Sequence, residues 1–321
     1  MLSIGNKFFL VCILATITIK ICWAHGEPVR GIGAATINTV GAEISSGVGV
    51  GIRYDRRAYK LFSNAELLQF QGQGENVHQH AVEETIFLGA SFGITPNIDL
   101  SVQLPLGRFS NFKDNGDSFA LANNTISATD VSQGVGDLLV MGRYRFFQRE
   151  DQNIAAIAGI KLPSGNTTQR TNVGEIVGGH NQPGSGSTDF IFGLGYSAHY
   201  FRDMLGVSAD ALARINTDGA NEFRSGNSVL LNLALSYKPH NRLVPILEFN
   251  FITQDRDNEN SAVKRNSGVT SLFITLGSRL KITENNAVLA AFAFPAIQHL
   301  PGIQNKEAYR INVGWSYGFQ I

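Results

Sequence analysis

From residue 84 onward, apolar side chains fall on every second position, run after run. The last run states the pattern most fully. Tyr309, Ile311, Val313, Trp315, Tyr317, Phe319 and Ile321 share one face, and Arg310, Asn312, Gly314, Ser316, Gly318 and Gln320 share the other. Period two marks a strand whose faces meet different surroundings. A hairpin precedes it at 84–106: Ile86, Leu88, Ala90, Phe92 and Ile94 lead into Thr95-Pro96-Asn97, and Ile98, Leu100, Val102 and Leu104 resume the stripe. Proline and asparagine there are turn chemistry.

Further pairs follow at 137–147 with 153–162, 190–200 with 205–215, 229–237 with 243–251, and 272–282 with 287–297. The joints between them are short at 95–97, 148–152, 201–203, 238–242 and 283–286. They alternate with long polar segments at 107–134, 163–187, 216–226, 253–267 and 298–306. A first strand near 46–57 brings the expected count to about 12, an even number as barrel closure favours. The stretch 59–77 alternates poorly. It reads as a short helix over 64–70 inside a loop or as an extra strand, which would make the count 14.

The apolar faces are rich in aromatics while the opposite faces are small or polar. In a soluble sheet such a face packs on a second layer; in a transmembrane barrel it meets lipid. The pattern therefore predicts an all-β fold, an antiparallel up-and-down transmembrane β-barrel with short periplasmic turns and long extracellular loops. The closing strand resembles the C-terminal strand of bacterial outer-membrane proteins, although it ends in Ile321 where Phe is usual.

Composition narrows the compartment. Lys7 precedes an apolar run from Phe8 to Ile19, and Cys22-Trp23-Ala24 fits a signal-peptidase site. The expected organisation is a signal peptide over 1–24, an N-terminal periplasmic segment over 25–45 and an outer-membrane barrel over 46–321. Cys12 and Cys22 both fall in the signal, so the mature chain would hold no disulfide, zinc-thiolate or cysteine nucleophile. Lys7 and Lys20 leave with it, and the slight acidic excess that remains argues against nucleic acid. No later run approaches the roughly 20 apolar residues of a membrane helix.

Several ordered strings carry a family resemblance: Phe92-Gly93-Ile94-Thr95, Val102-Gln103-Leu104-Pro105, Gly134-Val135-Gly136-Asp137 with Arg143-Tyr144-Arg145-Phe146, Lys161-Leu162-Pro163-Ser164-Gly165, and Gly184 to Phe190. Over residues 80–321 the chain resembles the outer-membrane family named for the meta-pathway of phenol degradation. The resemblance implies a channel or transporter for small molecules, some of them aromatic or hydrophobic. It brings no binding-residue motif. The other reading is a non-conducting structural or adhesive barrel. The partners expected are outer-membrane lipids, the barrel-assembly machinery and a small-molecule permeant; the sequence carries no signal for oligomeric state.

Candidate chemistry lies on the inward phase. Arg143, Arg145, Lys161, Asp210, Arg214, Glu248, Arg279 and Arg310 are expected to line a pore, with Arg53, Asp137, Asp189 and Lys281 in the same phase. A wet lumen would hold both signs in water; a dry one would pair them across a plug. No cofactor, metal or enzymatic role is expected. His78 and His80 sit at ligand spacing without a third ligand nearby. Asp255, Asp257 and Glu259 alternate like a calcium loop, but Asn260 stands where glycine is required. Gly47, Gly49 and Gly51 run on into strand, not into a helix. Ser, His and Asp residues occur, His199 among them, with no Gly-x-Ser-x-Gly elbow.

Overall fold

The computed structural model describes residues 38–44, 47–70, 77–110, 113–114, 132–170, 174, 176, 178–240 and 242–319. The expected signal peptide, residues 25–37, much of the 107–134 loop, Gln320 and Ile321 lie outside the described residues.

Twelve long strands form one antiparallel sheet: β1 (Val48–Tyr59), β2 (Val82–Thr95), β3 (Ile98–Ser110), β4 (Leu138–Arg149), β5 (Gln152–Leu162), β6 (Asp189–Tyr200), β7 (Leu205–Ile215), β8 (Ser228–Tyr237), β9 (Leu243–Gln254), β10 (Val269–Thr283), β11 (Asn286–His299) and β12 (Glu307–Phe319). Each pairs with its neighbours in sequence, and β1 pairs with β12 from Val48↔Phe319 onward. The sheet is thus closed. Closure leaves no edge and satisfies the backbone internally, as lipid requires.

Outward side chains are the expected stripes. Leu194 is 55 % exposed, Phe192 51 % and Trp315 40 %, whereas Asn312 and Ser316 on the opposite phase are 2 % and 3 % exposed. A dozen staves enclose an interior lined by side chains.

Boundaries differ from expectation where local chemistry intervenes. The turn between β4 and β5 is Glu150-Asp151, shorter than the expected 148–152, because the strands extend to pair Arg149 with Gln152. A bulge between Arg145 and Phe147 turns Phe146 and Phe147 both outward. The ambiguous stretch contains α1 (Asn64–Gln69), and beyond Tyr59 none of its described residues joins the barrel sheet. The helix start is a capping box: the Ser63 hydroxyl accepts from the Glu66 N–H at 3.2 Å, and the Glu66 carboxylate accepts from the Ser63 N–H at 2.7 Å. The Ser63 N–H foremost, and the Ser63 hydroxyl at 2.8 Å, donate to the Glu66 carboxylate and hold it below its ordinary pKa.

One stave is interrupted. β3 pairs with β4 as far as Gln103↔Leu139, and the short strand Ser132–Val135 resumes the ladder at Leu106↔Val135. Between them Pro105 has no N–H to offer, and Gly136 donates to its carbonyl at 2.8 Å. The break lets Asp137 leave the ladder and point into the long-loop mouth.

Residues 38–44, expected within a periplasmic segment over 25–45, lie inside the barrel along β6 to β9. Their backbone N–H groups find acceptors on the inner wall, as the contacts below describe.

Candidate functional site

The inner wall carries two polar constellations. The first lies at the long-loop mouth. Lys161 on β5 reaches Asp137 and Asp189 at 2.8 Å each, Ser187 at 3.0 Å, and Ser185. Arg214 on β7 adds a 2.7 Å contact to Asp189. Asp137 also accepts from the Ser185 and Gly165 N–H groups at 2.8 and 3.0 Å. Backbone from both ends of the 163–187 loop is therefore tied to the wall. Gly165 and Gly184 touch so closely that a Cβ on Gly165 would stand 2.6 Å from Gly184 Cα.

The second constellation lies deeper, as a ladder across four staves. Asn232 donates to Asp210 at 2.7 Å, Asn250 donates to Asn232 at 3.0 Å and to Glu248 at 3.2 Å, and Thr275 donates to Asn250 at 2.9 Å. All of these residues are buried. What covers them includes the segment 38–44. N–H groups of that segment point at the wall: Asn38 to Glu248 at 3.0 Å, Val40 to Asp210 at 2.6 Å, and Ala42 to the Ser197 hydroxyl at 2.9 Å. Glu43 pairs with His199 near the short-turn end. Gly41 adopts φ +65°, and its carbonyl fits over Gly195, where a Cβ would approach within 2.2 Å. Glycine at 195 is what lets the second chain lie this close.

The eight expected lining residues divide between these settings. Lys161 and Arg214 belong to the mouth, Asp210 and Glu248 to the ladder. Arg143 joins the ladder side, with Nε 2.9 Å from Asp99 on β3 and Nη1 donating to the Val40 carbonyl at 3.2 Å. Arg145 instead binds the Pro96 carbonyl at 2.7 Å and the Asn97 side chain, at the short-turn end. Arg279 faces inward and is 2 % exposed. Arg310 pairs with Glu307 on its own strand at 2.8 Å and lies 3.8 Å over the Phe273 ring. Arg53 and Asp55, also on one strand, are 2.9 Å apart.

These ion pairs share a direction. Asp99–Arg143, Asp189–Lys161 and Glu83–Arg57 are direct cross-strand partners, and Arg214–Asp189 joins adjacent staves. They run along the wall rather than across the lumen. Buried pairs of this kind are costly to break, since one charge is left uncompensated.

Other candidates resolve as structure. His80 packs edge-on against Tyr59, ring centroids 4.3 Å apart. Asp257 accepts from the Gly226 N–H at 2.8 Å, and burial raises its pKa; Glu259 pairs with Lys264 at 2.7 Å. Among the described residues no three His, Cys, Asp or Glu side chains gather as metal ligands. Sequence reasoning missed Gly41, Glu43, Gly195 and Ser197. A hint was available only in Gly193 and Gly195, inward glycines inside a strand, which signal a close approach.

The family model described as "Putative MetA-pathway of phenol degradation" matches residues 62–295. The chain belongs to this family. The match begins within the β1–β2 loop, earlier than the resemblance over 80–321, and ends within β11. No curated protein matches the chain by sequence. Among solved structures, an outer membrane channel from Pseudomonas putida F1 aligns with TM-score 0.59 at 14 % identity, covering 94 % of this chain and 100 % of that one. At this identity the shared property is the fold. The Pseudomonas putida toluene transporter TodX aligns with TM-score 0.47 at 10 % identity, over 95 % of this chain and 100 % of its own. The family member described here thus has the architecture of an outer-membrane β-barrel.

Proposed function

We propose that this barrel conducts small molecules across the outer membrane and that residues 38–44 constrict its path. The carrying observation is how that segment is held. It adds no strand to the sheet; it hangs on separate hydrogen bonds from Ser197, Asp210 and Glu248. Each such bond contributes modestly, about 0.5–1.5 kcal/mol or somewhat more to a charged acceptor. A segment so held can leave without opening the barrel. Ion pairs that run along the wall support the same reading, since they satisfy the lining charges without stitching the lumen shut.

Arg143, Asp210, Glu248, Arg279 and Arg310 are the residues we assign to the inner path, with Lys161 and Arg214 at its outer mouth and Arg145 at its inner one. The family's link to phenol degradation favours aromatic compounds among the permeants, and the channel from Pseudomonas putida F1 supports conduction as the mode of action. His199, the histidine weighed for catalysis in the sequence, is engaged by Glu43.

Planar-bilayer recording of the purified mature chain tests the proposal. Discrete conductance steps are expected, larger when the dock of residues 38–44 is weakened. A folded protein that conducts neither ions nor phenol-sized solutes would favour the structural barrel.

A further inference from the structure

The outer surface is uncharged on most staves up to the long-loop end, where outward positions carry Phe190, Ile215, Val229, Thr253, Thr270 and Ile297. The β12–β1 seam differs. Arg56 faces out with its side chain 39 % exposed, and Lys60 and Lys306 are both exposed. The register Tyr59↔Glu307, continued by one residue, sets Lys60 opposite Lys306, and the Lys60 N–H donates to the Lys306 carbonyl at 2.7 Å. Tyr59 and Glu307 face inward, so the two lysines share the outward face. Two like charges directly opposite on one face destabilise a sheet. An anion between them would turn that cost into attraction.

The height of the pair identifies the anion. Tyr309, stacked on Phe292 at 5.6 Å, and Tyr317, near the other end, are eight residues apart on β12. That spans about 26 Å of strand, or about 20 Å of membrane depth at usual tilts, close to the apolar band of an outer-membrane barrel. Tyrosines mark such interfaces. Lys60 and Lys306 lie just beyond Tyr309, at headgroup level on the long-loop side. Arg56 lies just below, 3.4 Å from Glu84, whose other partner is the Tyr54 hydroxyl at 2.5 Å.

We propose that Lys60 and Lys306, with Arg56 beneath, form a binding site for the phosphorylated headgroup of the glycolipid in the outer leaflet. The apolar stripe of Ile311, Val313 and Trp315 below receives its acyl chains, and the paired ammonium groups receive a phosphate. Basic clusters at a membrane surface recognise anionic headgroups in this way.

The test is a native mass-spectrometry titration of the full mature chain in detergent with bisphosphorylated lipid A. Wild type should retain lipid A, and the Lys60→Ser, Lys306→Ser double variant should bind about 25-fold more weakly, roughly fivefold per lysine. Heat-modifiability on a gel verifies that the double variant is folded. Arg202→Ser with Lys238→Ser, at the short-turn end, should leave binding unchanged. Equal binding by wild type and the seam variant, equal binding of dephosphorylated lipid A, or loss in the short-turn variant would each overturn the site. Retention of inorganic phosphate alone at the same concentration would assign the seam to free anions and overturn the lipid assignment.

Discussion

The mouth and the mid-lumen ladder use similar groups, acids and amides or hydroxyls on adjacent staves, yet they are completed differently. At the mouth, Asp137 and Asp189 are answered by Lys161 and Arg214, charges anchored in the wall itself. On the ladder, Asp210 and Glu248 are answered by amides and by the backbone N–H groups of a segment more than 150 residues away in sequence. A charge matched by a fixed charge makes a rigid rim. A charge matched by borrowed backbone makes a dock, whose occupant can be exchanged for water. In the proposed channel, this contrast separates a part that would shape the pore from a part that would open it.

Removing the lysine should expose the difference most strongly. Lys161→Ala leaves two buried carboxylates facing each other and should cost about 3–5 kcal/mol, read as a lowered denaturation midpoint of the refolded barrel. A loss under 1 kcal/mol would mean the mouth is no more fixed than the ladder. Asp210→Ala should cost less, about 1–3 kcal/mol for the donors left on Val40 and Asn232, and should raise single-channel conductance, which Lys161→Ala need not do. If both variants alter conductance equally, the distinction fails.

Loops test the comparison from another side, because 163–187 is fastened by wall charges and 60–81 by its helix cap, an apolar cluster around Leu67 and Val77, and hydrogen bonds between Phe62 and Gln79. Ser63→Ala should cost α1 about 1 kcal/mol and speed protease cleavage in 60–81 alone. Because the Glu66 pKa is lowered in the folded loop, its contribution is complete above the ordinary carboxylate pKa and fades as pH falls through the lowered one. Wild-type protection should therefore decline in acid; the variant keeps the backbone N–H at position 63 that donates to Glu66, so it should start lower and decline by less. The smallest stability change is expected at Arg310→Gln, about 1 kcal/mol, because Arg310 is partly exposed and an amide in its place still donates to the buried Glu307. There the readout is a reduced anion preference in asymmetric salt; an unchanged reversal potential would remove Arg310 from the lining.

Strand positions, the closed count and the inward phase were legible because period-two alternation is a local property, repeated wherever one face meets lipid and the other does not. The helix at 64–69 was legible too, in Ser63 and Glu66, once read as a capping box and not as poor alternation. The partners of the inward charges were not. Pairing of Arg143 with Asp99 or Lys161 with Asp189 depends on register between strands, and register follows from closure. Least legible was the dock. Nothing in Asn38-Thr39-Val40-Gly41-Ala42 announces that its N–H groups meet acids far along the chain, and Gly195 reads as an ordinary small inward residue until a second backbone lies over it.

Gly195→Ala, recorded as single channels in planar bilayers, tests the central claim most directly. The substitution adds one carbon to the wall, where it would stand 2.2 Å from the Gly41 carbonyl oxygen. If residues 38–44 are a removable constriction, the added methyl group displaces them and conductance rises above wild type. A conductance equal to or below wild type, in a variant that folds normally, would contradict the account.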